Sequence, residues 1–210
     1  MASSQHKSRR PLRLHGILPG DLIGFAACTP LAVAIRACTC GGINHVGIVT
    51  AWPPRDLTDH PRPSRQFPPV LCESTANPCG PCVSQGIEVR GVQVHFLRQR
   101  ILSHAGRVYH YPLAERLTER QQDILQEFCE SHLGTEYDYH GAADARHTLI
   151  AALVRAVRGE DLDEVFCSEW AAACYRELGL LDANPSRFSP SRLVRYQRRA
   201  GVLGKPRRVK

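Results

Sequence analysis

Phe166-Cys167-Ser168-Glu169-Trp170 opens a run to Leu178 that holds no glycine or proline and has the pattern of a strong helix. Acidic residues precede it at Glu160, Asp161, Asp163 and Glu164, where they suit a helix start. The pattern predicts a helix from near Val165, with Cys167 in its first turn. Unpaired backbone N–H groups and the positive end of the helix dipole favour a thiolate there. Such surroundings lower a cysteine pKa from ~8.5 into the range ~3.5–7.5. Taken alone, Cys167 also suits a buried small hydrophobe. A thiolate becomes a catalyst only with a base beside it, and the upstream chain supplies candidates.

Upstream, Leu18-Pro19-Gly20-Asp21-Leu22-Ile23-Gly24-Phe25 reads as a turn and a short strand. Ile43 to Trp52 is rich in β-branched residues and reads as a second strand, with His45 near its start. Alternation puts His45, Gly47 and Val49 on one face and Val46, Ile48 and Thr50 on the other. Val70 to Thr75 is a third strand and carries Glu73. Ile87 to Phe96 and Val108 to Leu113 complete a set whose close spacing favours an antiparallel meander. Helical spacing follows over Thr118 to Leu133, with Thr118 as N-cap, and over Ala142 to Val157. Ser189-Pro190 suits the N-cap and first position of a last short helix through Tyr196. Leu31 to Ala37 can form a further short helix, and the proline-rich 53–69 segment reads as a loop or lid.

A cysteine hydrolase needs a thiolate, an imidazole that carries the proton, and a group that orients the imidazole. Strands lie ~4.8 Å apart, so His45 and Glu73 can bond across neighbouring strands. A carboxylate in an apolar strand calls for such a partner.

The 210 residues suffice for one domain with a sizeable core. The net charge of +7 is uneven: nine basic and no acidic residues lie from Arg187 onward, and Lys7, Arg9, Arg10 and Arg13 add four at the start. The body between carries 14 basic residues against 20 acidic ones. We expect a basic flexible arm at 1–13, one folded domain at 14–199 and a basic tail at 200–210. The basic ends predict at most a weak polyanion contact, with a solvated helix face as the plainer use. No apolar leader follows Met1, and no apolar run reaches eighteen residues, so a cytoplasmic protein without a membrane span is expected. Nine cysteines, an odd number, leave at least one unpaired, and a reducing compartment fits them.

Cys79-Gly80-Pro81-Cys82 has the spacing of a thioredoxin-like redox site, but that motif opens a helix after a strand, and here a strand pattern follows. Cys79 and Cys82 can also chelate zinc, with Cys38, Cys40 or Cys72 completing the set. The second pair of a zinc signature is absent, so the two are read as loop thiols and no cofactor is expected.

Four motifs in order carry a resemblance: Pro19-Gly20-Asp21-Leu22-Ile23, Asn44-His45-Val46-Gly47-Ile48-Val49, Leu71-Cys72-Glu73-Ser74 and Phe166-Cys167-Ser168-Glu169. Together they resemble the circularly permuted NlpC-type branch of the papain-like fold, which includes the YiiX-like amidases and, more distantly, lecithin:retinol acyltransferase. Gly134-Thr135-Glu136-Tyr137-Asp138, Leu178-Gly179-Leu180 and Ser189-Pro190 resemble later parts of the same pattern. The match spans roughly residues 18–196. The resemblance implies an α+β fold, an antiparallel sheet packed against helices that include the nucleophile helix. It implies Cys167 as nucleophile, His45 as general base and Glu73 as orienting group, with the Cys167 N–H as a candidate oxyanion donor. The expected activity is a thiol hydrolase or acyltransferase acting on an amide or ester of an acyl or peptide-type substrate. The alternative is a non-catalytic or virion-associated binding protein that keeps the fold and uses its basic ends on nucleic acid.

Overall fold

The computed structural model describes residues 12–27, 41–51, 69–75, 80–135 and 163–210, with side chains at 163–166 left aside. Sequence expectations for the 31–37 helix, most of the 53–69 loop, Cys79, Tyr137-Asp138 and the 142–157 helix lie outside these residues. The elements are β1 (Leu22–Ala27), β2 (His45–Thr50), β3 (Val70–Thr75), β4 (Gly91–Phe96), α1 (Leu97–Ser103), β5 (Gly106–Tyr111), α2 (Glu119–Ser131), α3 (Asp163–Glu177), a 3-10 turn (Pro185–Arg187), α4 (Pro190–Arg199) and β6 (Arg207–Arg208). The fold is α+β. One six-stranded antiparallel sheet runs in the order β4-β3-β2-β1-β5-β6. The first four strands are sequential neighbours, and α1 carries the chain back so that β5 pairs with β1.

The central strands are buried on both faces, so their alternation sorts one apolar set from another rather than inside from outside. Leu22, Val46, Ile48, Cys72 and Val94 meet Trp170, Ala171, Cys174 and Tyr175 of α3, Leu125 and Cys129 of α2 and Leu193 of α4. On the opposite face, Ile23, Phe25, Val49, Leu71 and Val108 pack with Leu97 and Ile101 of α1 and with Ile17 and Val209. Gly47 permits this register, since a Cβ there would stand 2.8 Å from the Leu71 side chain.

Local signals explain most helix ends. Thr118 and Gln121 form a reciprocal capping box at the start of α2. Pro190 sits in the first turn of α4, which runs three residues beyond Tyr196. The strand expected from Ile87 begins only at Gly91, whose φ of +87° breaks the extended run. Ile87 accordingly stays 63% exposed. Three elements were not anticipated, the 3-10 turn, α1 and β6. The last brings residues expected to form a basic tail into the sheet: Arg207 and Arg208 pair with β5, and Val209 is buried.

The Gly20-Asp21 turn anchors the sheet. Asp21 is buried and accepts from the Leu18 N–H at 2.9 Å and the Leu113 N–H at 2.8 Å. It also accepts from His110 Nε2 at 2.6 Å. Arg207 Nη2 donates to His110 Nδ1 at 2.9 Å, which fixes the tautomer with its hydrogen on Nε2. Asp21, His110 and Arg207 thus lace β1, β5 and β6 together. The Tyr175 hydroxyl of α3 donates to the Gly20 carbonyl at 3.0 Å and ties the same turn to the helix layer.

Candidate active site

The site lies where the start of β2, the end of β3 and the early part of α3 converge. Cys167 is the fifth residue of α3, which begins at Asp163, two residues earlier than the sequence suggests. By the i→i−4 rule its N–H then belongs to the helix ladder rather than to the orphan donors ahead of it. The dipole effect also fades within the first turn. Neighbouring side chains, rather than the helix end, therefore supply the electrostatics at the sulfur, and the first-turn placement expected from sequence is corrected.

The residues after Cys167 clamp this segment. Ser168 Oγ donates to the Phe188 carbonyl at 2.6 Å, and Ser186 Oγ hydrogen-bonds Glu169. Trp170 stacks on Phe128 of α2, with ring centroids 5.3 Å apart. Ser191 Oγ of α4 donates to the Ile43 carbonyl at 3.0 Å and lies 3.3 Å from the Ile43 N–H, fixing the entry to β2. Asn44 Oδ1 accepts from the Ala27 N–H at 2.8 Å. The polar residues of these motifs thus hold backbone in place, and they do so around one histidine.

His45 opens β2 and retains 9% exposure. Its Nε2 lies 2.6 Å from Glu73 Oε2. The Cys167 side chain hydrogen-bonds the same imidazole, and with Nε2 on Glu73 this leaves Nδ1 for the sulfur. Burial opposes charge on His45, but the adjacent Cys167 sulfur and then Glu73 outweigh it and push the pKa up to about 10. All three residues singled out in the sequence therefore meet. Cys167 and Glu73 are both fully buried.

Sequence reasoning missed the other half of the carboxylate's surroundings. Arg100 Nε donates to Glu73 Oε1 at 2.5 Å, and the guanidinium lies over the Phe25 ring, 4.5 Å from its centroid. Burial would raise the pKa of Glu73, but Arg100 and then His45 hold it well below the usual carboxylate range. His95 of β4 approaches Oε1 to 3.9 Å and pairs with Gln93 Oε1 at 2.8 Å. Burial lowers the pKa of His95. The Leu97/Ile101 pair, four residues apart after a strand pattern, was the signal that could have revealed α1, though not which of its residues meets Glu73.

Cys82, of the pair considered for zinc, is buried; its Sγ accepts from the Val94 N–H at 3.3 Å and sits 3.3 Å from Ser84 Oγ. Among the described residues no group of three or more His, Cys, Asp or Glu is arranged to hold a metal ion. No helix among them is long and apolar enough to cross a membrane.

No family model matches the chain, and no curated protein does. Among solved structures it is similar to the crystal structure of metalloprotein YiiX from Escherichia coli O157:H7, at 19% identity and a TM-score of 0.45. That match covers 76% of this chain and 65% of the other, just under two thirds of its length.

Proposed function

We propose that the chain is a thiol hydrolase or acyltransferase of the circularly permuted papain-like class, most simply an amidase or peptidase. The observation that carries this is the His45 imidazole held between Cys167 and Glu73. The order His45, Glu73, Cys167 along the chain, with the nucleophile last, is the order the sequence resemblance implies.

In this reading His45 takes the proton of the Cys167 thiol, and Glu73 stabilises the imidazolium that forms and fixes its ring. The thiolate attacks the carbonyl carbon of an amide or ester. The tetrahedral intermediate collapses as the imidazolium gives its proton to the departing nitrogen or oxygen, leaving an acyl thioester on Cys167. His45, now neutral, takes a proton from water or another acceptor, which attacks the thioester and releases the acyl product. The sulfur leaves as thiolate, and the imidazolium is restored.

The test is a panel of small activated esters and peptide amides read by intact-protein mass spectrometry. An acyl mass on Cys167 is expected in the parent and not in Cys167→Ala. His45→Ala should acylate ~10²-fold more slowly or worse, the scale of a lost general base. Acylation of Cys167 no faster than of Cys129 or Cys174 across the panel would overturn the proposal.

A further inference from the structure

We propose that Arg100 is a positioning residue for the acyl-transfer site, acting on His45 through Glu73. It rests on the thiol-hydrolase reading above and adds a fourth member to its chain of contacts.

The two oxygens of Glu73 are divided between two partners. Oε1 accepts from Arg100 Nε at 2.5 Å and Oε2 faces His45 Nε2 at 2.6 Å. Glu73 is fully buried, so protein groups take the place of solvent around both oxygens. With Oε1 engaged, the carboxylate plane is set, and Oε2 is the oxygen presented to the imidazole. The arginine also keeps a negative charge on Glu73, so the carboxylate remains an acceptor and does not take the proton that His45 must deliver.

Arg100 is itself fixed from several sides. Its guanidinium packs on Phe25, whose ring is also 5.5 Å from the His45 ring and 5.0 Å from the His104 ring. Leu97 and Ile101 seat α1 in the core on either side of Arg100. Lys210 Nζ donates to the carbonyls of Ile101, Leu102 and His104 at 3.1, 3.0 and 2.5 Å, tying down the end of the helix. The planar fork of an arginine suits this side-on contact with a carboxylate over an aromatic face.

Among the described residues, the ionisable groups around Glu73 include His45 from β2, Arg100 from α1, His95 from β4 and the adjacent Cys72 of β3, with Cys167 of α3 beyond His45 and His104 beyond Phe25. Burial and the Arg100 charge lower the pKa of His104 to about 4, and burial and the Arg100 charge lower that of His95 against the opposite pull of Glu73, so with the arginine in place both histidines are disfavoured as cations beside the carboxylate.

The experiment is the pH profile of Cys167 alkylation by iodoacetamide in the full chain, for the parent, Arg100→Gln, Arg100→Lys, Glu73→Gln and the Glu73→Gln/Arg100→Gln double variant. Arg100→Gln should move the acid edge of the profile upward by at least one unit, about a tenfold loss of rate on the parent's acid edge. Arg100→Lys, which keeps the charge, should recover most of that edge. Added to Glu73→Gln, Arg100→Gln should change the profile by less than twofold, because its route to His45 is already cut. An Arg100→Gln profile that overlays the parent would overturn the proposal. So would an equal loss in the Glu73→Gln background. If Arg100→Gln alone does not fold, Arg100→Lys decides: its acid edge should lie a few tenths of a unit above the parent's, and an edge that overlays the parent would overturn the proposal. A parent Cys167 that alkylates no faster than Cys174 would remove the hydrolase reading and this inference together. A reactive Cys167 with an unmoved Arg100→Gln profile removes the inference alone.

Discussion

Replacing Glu73 by glutamine tests the buried network most directly. The side chain keeps its size and loses its charge. Before substitution the carboxylate makes two short charge-assisted contacts, to Arg100 at 2.5 Å and His45 at 2.6 Å, and is fully buried. Hydrogen bonds to charged groups contribute about 1.5–3 kcal/mol each. A single amide oxygen can serve one of the two partners, and the amide NH2 repels the other. We therefore expect a loss of about 3 kcal/mol, within the range for breaking a buried ion pair. For a chain of this size that lowers Tm by roughly 6–12 °C. The cost has a pH signature. Glu73 has a depressed folded pKa, so its contribution is present above the unfolded value of about 4.3 and is lost as pH falls below it. His45 has a raised folded pKa, so its contribution is full below about 6.5 and fades as pH rises toward about 10. The stability gap between parent and variant should thus be widest near pH 5–6.5 and narrow on both sides. Urea denaturation at several pH values measures the gap, and NMR titration of His45 should show its pKa falling. A gap under about 1 kcal/mol, flat from pH 4.5 to 9 with His45 unmoved, would show that Glu73 does not carry this network.

Cys167→Ala should abolish turnover and leave the melting temperature within a few degrees, and parent Cys167 should react with iodoacetamide faster than the buried Cys129 and Cys174, as peptide mapping would show. Asp21→Ala strands the N–H groups of Leu18, Leu113 and His110, so a loss of about 3–5 kcal/mol in denaturant is expected, with no change in the pH profile of Cys167 alkylation in the folded fraction. Deleting residues 206–210 removes β6, the Arg207 contact to His110 and the buried Val209; the latter alone is worth about 1.5–3 kcal/mol, so a clear drop in Tm by calorimetry is expected.

The amino-acid sequence was sufficient for most features that depend on neighbours along the chain, the exceptions being α1, the late start of β4 and the early start of α3. Short apolar and β-branched runs between turn signals marked β1, β2, β3 and β5, Thr118 marked the start of α2, and Ser189-Pro190 marked α4. The alternation that set His45 with Gly47 and Val49 put it on the face of β2 from which Glu73 of β3 is within reach, because strand spacing leaves little choice. What the tertiary structure decided is who shares a charge with whom. Arg100 is one of many arginines in the chain, and nothing local distinguishes it; only the turn of α1 back across the sheet brings it onto a carboxylate 27 residues away. His110 and Arg207 likewise look like ordinary surface residues until β5 returns to pair with β1 and β6 closes beside it. The physical reason is that a buried charge must be answered from wherever the fold supplies a partner, and that partner is fixed by packing over long sequence separations rather than by any local period.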